Sequence, residues 1–136
     1  MFTQSQFTPA WWLHNPHCQT IIAKFLRSRK QLETCNETVE LPDGDFIDLA
    51  WTDKPKLNET RPLVVVLHGL EGSVNSHYAK GMLSAIKDKQ WIGVLIHFRG
   101  CSGRVNRKAR SYHSGDTDDI SYLTQFLKKK YPQLPM

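Results

Sequence analysis

An α/β fold, a parallel sheet flanked by helices and led in by a β-hairpin, is what the sequence predicts, on three observations. Leu63-Val64-Val65-Val66-Leu67 is a continuous β-branched run. It does not alternate with polar residues, which predicts a strand covered on both faces, as in parallel sheets. Trp91-Ile92-Gly93-Val94-Leu95-Ile96 is a second such run, and a helix-period segment follows each of them. Strand, helix, strand, helix in that order makes an α/β parallel sheet. Ahead of them, Glu33 to Leu41 and Phe46 to Trp51 flank Pro42-Asp43-Gly44-Asp45. Asp-Gly supplies positive φ at little cost, so two antiparallel strands are expected there.

The elements follow in chain order. Thr8-Pro9-Ala10-Trp11-Trp12-Leu13 reads as an extended aromatic arm, because a residue before proline avoids the helical region. Asn15-Pro16 reads as a helix start, with Asn as cap and Pro in the first turn. Ile21, Ile22, Phe25 and Leu26 give that helix one apolar face, and the basic stretch Arg27 to Lys30 suits its negative end. Residues 53–62 are a polar loop with two prolines. After the first apolar run, Gly69 and Gly72 mark a tight turn. Ser73, Asn75 and Ser76 are candidate caps for a helix with Tyr78, Met82, Leu83 and Ile86 inward and Lys80, Lys87 and Lys89 outward. Arg99 to Tyr112 is a loop rich in Gly and Arg. Asp116, Asp118 and Asp119 then open a helix with Ile120, Leu123, Phe126 and Leu127 inward, and Lys128 to Lys130 close it, acids and bases each complementing the dipole. Residues 1–31 form a leading arm and helix, and 32–136 a partial sheet with its helices, all within one domain.

Composition excludes several classes. The chain has 136 residues, 40% of them hydrophobic and 23% charged, which argues against disorder, collagen and coiled coil. Its longest clean apolar run is the five residues Leu63–Leu67, too short to cross a bilayer. The start, Met1-Phe2-Thr3-Gln4-Ser5-Gln6, lacks the basic and long apolar regions of a secretory signal. Three cysteines without close pairing fit a reduced, cytoplasmic protein. The net charge of +5 is spread over Lys24–Lys30, Arg104–Arg110 and Lys128–Lys130. These clusters read as solvated faces and helix ends rather than a nucleic-acid site, since no recognition motif accompanies them.

His68-Gly69-Leu70-Glu71-Gly72 sits where a buried strand hands over to a helix. In an acyl-transfer hydrolase, backbone N–H groups at such a place point at the developing oxyanion. The Leu70 N–H would be one donor, with His68 and Gly69 shaping the turn. The plainer alternative is an ordinary strand-to-helix turn, in which His68 is a hydrogen-bonded structural residue. Arg99 with Asp116 and Asp119 reads as an ion pair pinning the loop to the next helix rather than as a catalytic group. Cys101, near Arg99 and Arg104, reads as a packing residue rather than a thiolate nucleophile. His14, His17 and Cys18 lack the fourth ligand and second cluster of a zinc site, so no metal and no cofactor are expected. Trp11 and Trp12 read as aromatics capping the core rather than as membrane anchors.

As an ordered set these motifs are specific. Pro9-Ala10-Trp11-Trp12-Leu13, Asn15-Pro16-His17 with Gln19-Thr20, Pro42-Asp43-Gly44-Asp45-Phe46, His68-Gly69-Leu70-Glu71-Gly72 with Asn75-Ser76, Phe98-Arg99-Gly100-Cys101, and His113-Ser114-Gly115-Asp116 with Asp119 resemble, in order, the opening of the YheT-like branch of the α/β-hydrolases, relatives of the ABHD lipases. The resemblance implies an α/β-hydrolase fold, here incomplete, and an esterase with a Ser-Asp-His triad and no cofactor. It places the Gly-x-Ser-x-Gly nucleophile elbow on the strand after the Asp119–Lys130 helix. That motif does not occur in the 136 residues; Gly100-Cys101-Ser102-Gly103 is one residue too compact. No triad residue is assigned in this chain. All three are expected beyond Met136.

Three functions remain. One is a carboxylic ester hydrolase of which this chain carries the oxyanion segment, with a small-molecule ester as substrate. The others are a non-catalytic fragment or pseudogene product, and a binding module. In the implied sheet, Leu63–Leu67 lies between the Trp91–Ile96 strand and the nucleophile strand. Without that neighbour it is an open apolar edge, which predicts marginal stability and self-association.

Overall fold

The computed structural model describes residues 5–26, 32–56, 58–113 and 115–136. The expected helix end at Arg27–Lys30, the Phe25 and Leu26 side chains, and Ser114 lie outside them.

The element order is α1 (Pro16–Leu26), β1 (Cys35–Glu40), β2 (Phe46–Trp51), β3 (Leu63–Leu67), α2 (His77–Asp88), β4 (Ile92–Ile96) and α3 (Asp118–Lys130). Asn15 caps α1, its Oδ1 accepting the N–H groups of His17 at 2.9 Å and Cys18 at 3.3 Å, which supplies acceptors the first turn lacks. In the β1–β2 turn the Leu41 N–H donates to the Asp45 carbonyl at 2.8 Å, and Gly44 takes φ +82°.

The four strands form one mixed sheet in the order β1-β2-β4-β3. β1 and β2 pair antiparallel, β2 and β4 antiparallel, and β3 and β4 parallel with Val65 beside Val94. The hairpin is therefore part of the sheet. Period-2 alternation divides its residues between two cores. On the α3 side, Ile47, Leu49, Trp51, Leu63, Ile92, Val94 and Ile96 pack with Leu123 and Leu127. On the α2 side, Ala50, Val66 and Leu95 pack with Ala79, Leu83 and Ile86.

Three expectations need correction. β3 lies at the sheet edge, as the missing neighbour implies, but it is not buried on both faces: Val64 and Val65 are half-buried and Leu67 is 44% exposed, whereas β4, flanked on both sides, is buried throughout. Tyr78 and Met82 are not core residues of α2; Ala79, Leu83 and Ile86 are. Apolar spacing identified the stripe, but its rim faces a loop rather than the sheet. Trp11 and Trp12 do not cap the core and are 85% and 54% exposed, since α2 and α3 already occupy the two sheet faces.

Candidate active site

Parallel strands present their carboxyl ends to one side, where ligands bind in open α/β sheets. Here β3 and β4 both end at a histidine. His68 and His97 are buried, with ring centroids 6.2 Å apart. Both are locked. His68 Nε2 accepts the Phe98 N–H at 3.0 Å, which puts the proton on Nδ1, 2.7 Å from the Gly69 carbonyl. His97 Nε2 accepts the Val74 N–H at 3.2 Å and Nδ1 donates to the Asp48 carbonyl at 3.1 Å. Burial pushes the His97 pKa down, against the opposing pull of the Asp48 carbonyl, and keeps the ring neutral. His68 is thus a structural residue of the turn, fixing a carbonyl and the start of the next loop.

The turn itself is closely specified. Gly69 carbonyl accepts the Gly72 N–H at 2.9 Å as well as His68 Nδ1. A trans peptide points its C=O and N–H in opposite directions, so the Leu70 N–H faces away from His68. The Gly69 N–H donates to the Tyr78 hydroxyl at 2.7 Å and the Glu71 N–H to the Tyr112 hydroxyl at 2.5 Å. Ser73, Val74, Asn75 and Ser76 donate to Ser76 Oγ, His97 Nε2, Ser73 Oγ and the Ser73 carbonyl. Between Gly69 and Ser76, only the Leu70 N–H has no acceptor among the described residues. Glu71 takes φ +50°, an unfavourable conformation for a residue with a Cβ. Gly72 is needed because a Cβ there would lie 2.4 Å from the Tyr78 hydroxyl and 2.9 Å from His68 Cβ.

A largely apolar cleft of about 420 Å³ opens beside the turn, lined by Leu67, His68, Leu70, Phe98, Tyr112 and Ile120 among others. Tyr112 stacks on Phe98 at 4.8 Å. Asp116 also borders it. Its Oδ1 accepts from Arg110 at 2.9 Å, while Oδ2 is buried without a partner among the described residues.

The Arg99 group is not composed as expected. Arg99 does pair with Asp119, but its remaining partners are Asp43 at 2.6 Å and Asp45 at 3.1 Å, from the hairpin turn. Asp116 belongs to Arg110. The register of α3 explains this: Asp119 is one of its buried residues, whereas Asp116 precedes the helix in the loop. Arg104 and Arg107 are likewise not free cations. Arg104 holds Asp48 at 2.9 Å and Arg107 holds Glu40 at 2.5 Å. Both Arg99 and Arg104 are therefore committed to carboxylates rather than available to a Cys101 thiolate. Among the described residues no three His, Cys, Asp or Glu side chains converge as metal ligands. No described helix is long and apolar enough to cross a membrane.

Sequence reasoning missed Tyr78 and Tyr112 as partners of the turn. No local signal marks them: Tyr112 lies 41 residues from Glu71, and Tyr78 reads as part of an apolar stripe.

No protein-family profile matches the chain. It is 42% identical over 133 residues to YheT of Escherichia coli, named a candidate esterase, covering 98% of this chain and 39% of that protein. It is 25% identical over 134 residues to the human protein named phospholipase ABHD3, covering 95% and 33%. A solved α/β serine hydrolase homologue from Coxiella burnetii superposes with a TM-score of 0.57 at 17% identity, covering 79% of this chain and 50% of that one. The chain thus spans about two fifths or less of the length of these curated relatives. The alignment with YheT over nearly all 136 residues and the superposition on a solved hydrolase agree: the chain belongs to the α/β hydrolases, in their YheT-like branch, and corresponds to the N-terminal part of its relatives.

Proposed function

We propose that this chain is the oxyanion-bearing portion of a serine-dependent carboxylic ester hydrolase acting on a small-molecule ester in the cytoplasm, and that residues 1–136 are the N-terminal portion of one hydrolase domain. The observation that carries the reading is the Leu70 N–H, the one amide between Gly69 and Ser76 without an acceptor among the described residues, beside an apolar cleft at the carboxyl ends of two parallel strands. When a carbonyl carbon is attacked, its oxygen gains negative charge, and a fixed N–H aimed at that position lowers the barrier. Leu70 would supply one such donor. The residue after the nucleophile would supply another. The apolar lining suits an acyl or alkyl group. The attacking serine, its histidine and the acid would come from the part of the relatives that this chain does not match.

Reading the coding sequence past Met136 tests this. Gly-x-Ser-x-Gly within a few residues supports it, whereas a stop codon there favours a non-catalytic fragment. A fluorophosphonate serine probe should leave the 136-residue chain unlabelled; labelling would place a nucleophile within it and overturn the assignment.

A further inference from the structure

We infer that Tyr78 and Tyr112 are positioning residues whose hydroxyls, by accepting the N–H groups on either side of Leu70, leave the Leu70 amide as the one donor offered to a carbonyl oxygen. The inference rests on the reading of Leu70 as an oxyanion donor and adds what selects and aims it.

A tight turn exposes several amides, and a free N–H at Gly69 or Glu71 would compete for the same oxygen or for water. Each is occupied instead, at 2.7 Å and 2.5 Å. The two acceptors come from distant places and are held independently. Tyr78 sits in the first turn of α2, with its hydroxyl over the bare Cα of Gly72. Tyr112 comes from the long loop before α3; its ring stacks on Phe98 and meets the edge of His68 at 6.1 Å. Phe98 is in turn tied to His68 through its N–H. His68 and the Gly72 N–H hold the Gly69 carbonyl, so the Gly69–Leu70 peptide plane is fixed. Tyr112 holds the amide of Glu71, the residue with positive φ. Backbone strain of this kind persists where the surroundings over-determine it.

Hydrogen exchange read at residue resolution on the 136-residue chain at low concentration tests this, with sodium butyrate, an ester-cleavage product, as the probe. In the native sequence the Gly69 and Glu71 amides should be protected and Leu70 should exchange about tenfold faster; equal protection at all three overturns the inference without any variant. Tyr78→Phe should expose Gly69, and Tyr112→Phe should expose Glu71, each by about five- to tenfold, the scale of one lost hydrogen bond. The amides of Ile92–Ile96 should be unchanged in both. Butyrate should slow exchange at Leu70 in the native sequence and do so several-fold less in either variant. A butyrate effect that survives both substitutions overturns the positioning role and leaves the oxyanion reading standing. No butyrate effect at Leu70 in the native sequence overturns both.

Discussion

Arg99 grips Asp119 with two parallel hydrogen bonds, Nε to Oδ2 at 2.7 Å and Nη2 to Oδ1 at 2.8 Å. Its remaining nitrogen reaches Asp43 and Asp45 in the hairpin turn. One guanidinium thus joins the end of β4, the start of α3 and the β1–β2 turn, and its side chain is 1% exposed. Lysine cannot reproduce this fork, being a single point donor on a flexible stem. Arg99→Lys should destabilise the chain by about 2 kcal/mol and Arg99→Ala by about 3–5, because removing one member of a buried charge group leaves the others unpaired. Urea midpoints of the two variants check this. An unchanged midpoint for Arg99→Ala would show that the hub contributes nothing.

Two pH windows should appear in stability. Burial acts to raise the Asp45 pKa, but the Arg107 amide, the Asn106 side chain, the Phe46 amide and the Arg99 charge outweigh it and hold it at about 2, against an ordinary 3.8. A depressed carboxylate pKa contributes stability that is present above the unfolded value and lost as pH falls through the folded one. The acid limb should therefore lie between about pH 4 and pH 2, and Asp45→Asn should flatten it. His97, held neutral by burial, acts higher. Its folded pKa is lowered, so its contribution is present above the ordinary 6.5 and declines as pH falls below it. Denaturation midpoints at pH 7.5 and pH 5.5 should differ in the native sequence and converge in His97→Gln. Persistence of the difference in that variant would assign it to another group.

Much of this was legible in the sequence because it is local. The hairpin follows from Asp43-Gly44 between two strand-like segments, and α3 from acids at one end and lysines at the other. The turn at Gly69 follows from glycines after a β-branched run. What was not legible depends on contacts far apart in the chain. Asp116 and Asp119 look equivalent as text, yet Asp119, on the buried face of α3, reaches Arg99, while Asp116, in the loop before the helix, reaches Arg110. Tyr78 falls on the apolar stripe of α2, but at the rim, where its hydroxyl meets Gly69. The hairpin carboxylates of Arg99 lie 54 and 56 residues away from it, a distance no periodicity reports.

Gly72 should tolerate no side chain. A Cβ there meets the Tyr78 hydroxyl at 2.4 Å, His68 Cβ at 2.9 Å and the Gly69 carbonyl at 3.0 Å. The tyrosine hydroxyl can move away, whereas the carbonyl belongs to backbone fixed by His68. Gly72→Ala should cost about 1–3 kcal/mol, the range for forcing an extra methyl into a filled site. The substitution should also strip exchange protection from the Gly69 amide, because the displaced hydroxyl no longer accepts it. Full protection at Gly69 in this variant would mean that Tyr78 does not occupy the position described.

The outer edge of β3 should drive self-association. Among the described residues no strand pairs with that edge, and only the Leu63 N–H finds an acceptor on the C-terminal segment, the Pro135 carbonyl at 2.8 Å. The rest of the strand presents backbone donors and acceptors beside Leu67, which is 44% exposed. An apolar edge of this kind pairs readily with another strand, and a lysine on it opposes that pairing by charge repulsion and by the cost of desolvating the ammonium. Sedimentation velocity at increasing concentration should show the native sequence forming dimers or larger species. Leu67→Lys should shift the onset to at least about threefold higher concentration. Because Leu67 lies at the end of β3 and outside both cores, the substitution should leave the monomer's unfolding free energy in urea within about 0.5 kcal/mol of the original. A monomer at every concentration in the native sequence, or an onset that Leu67→Lys fails to move, would exclude this edge as the associating surface.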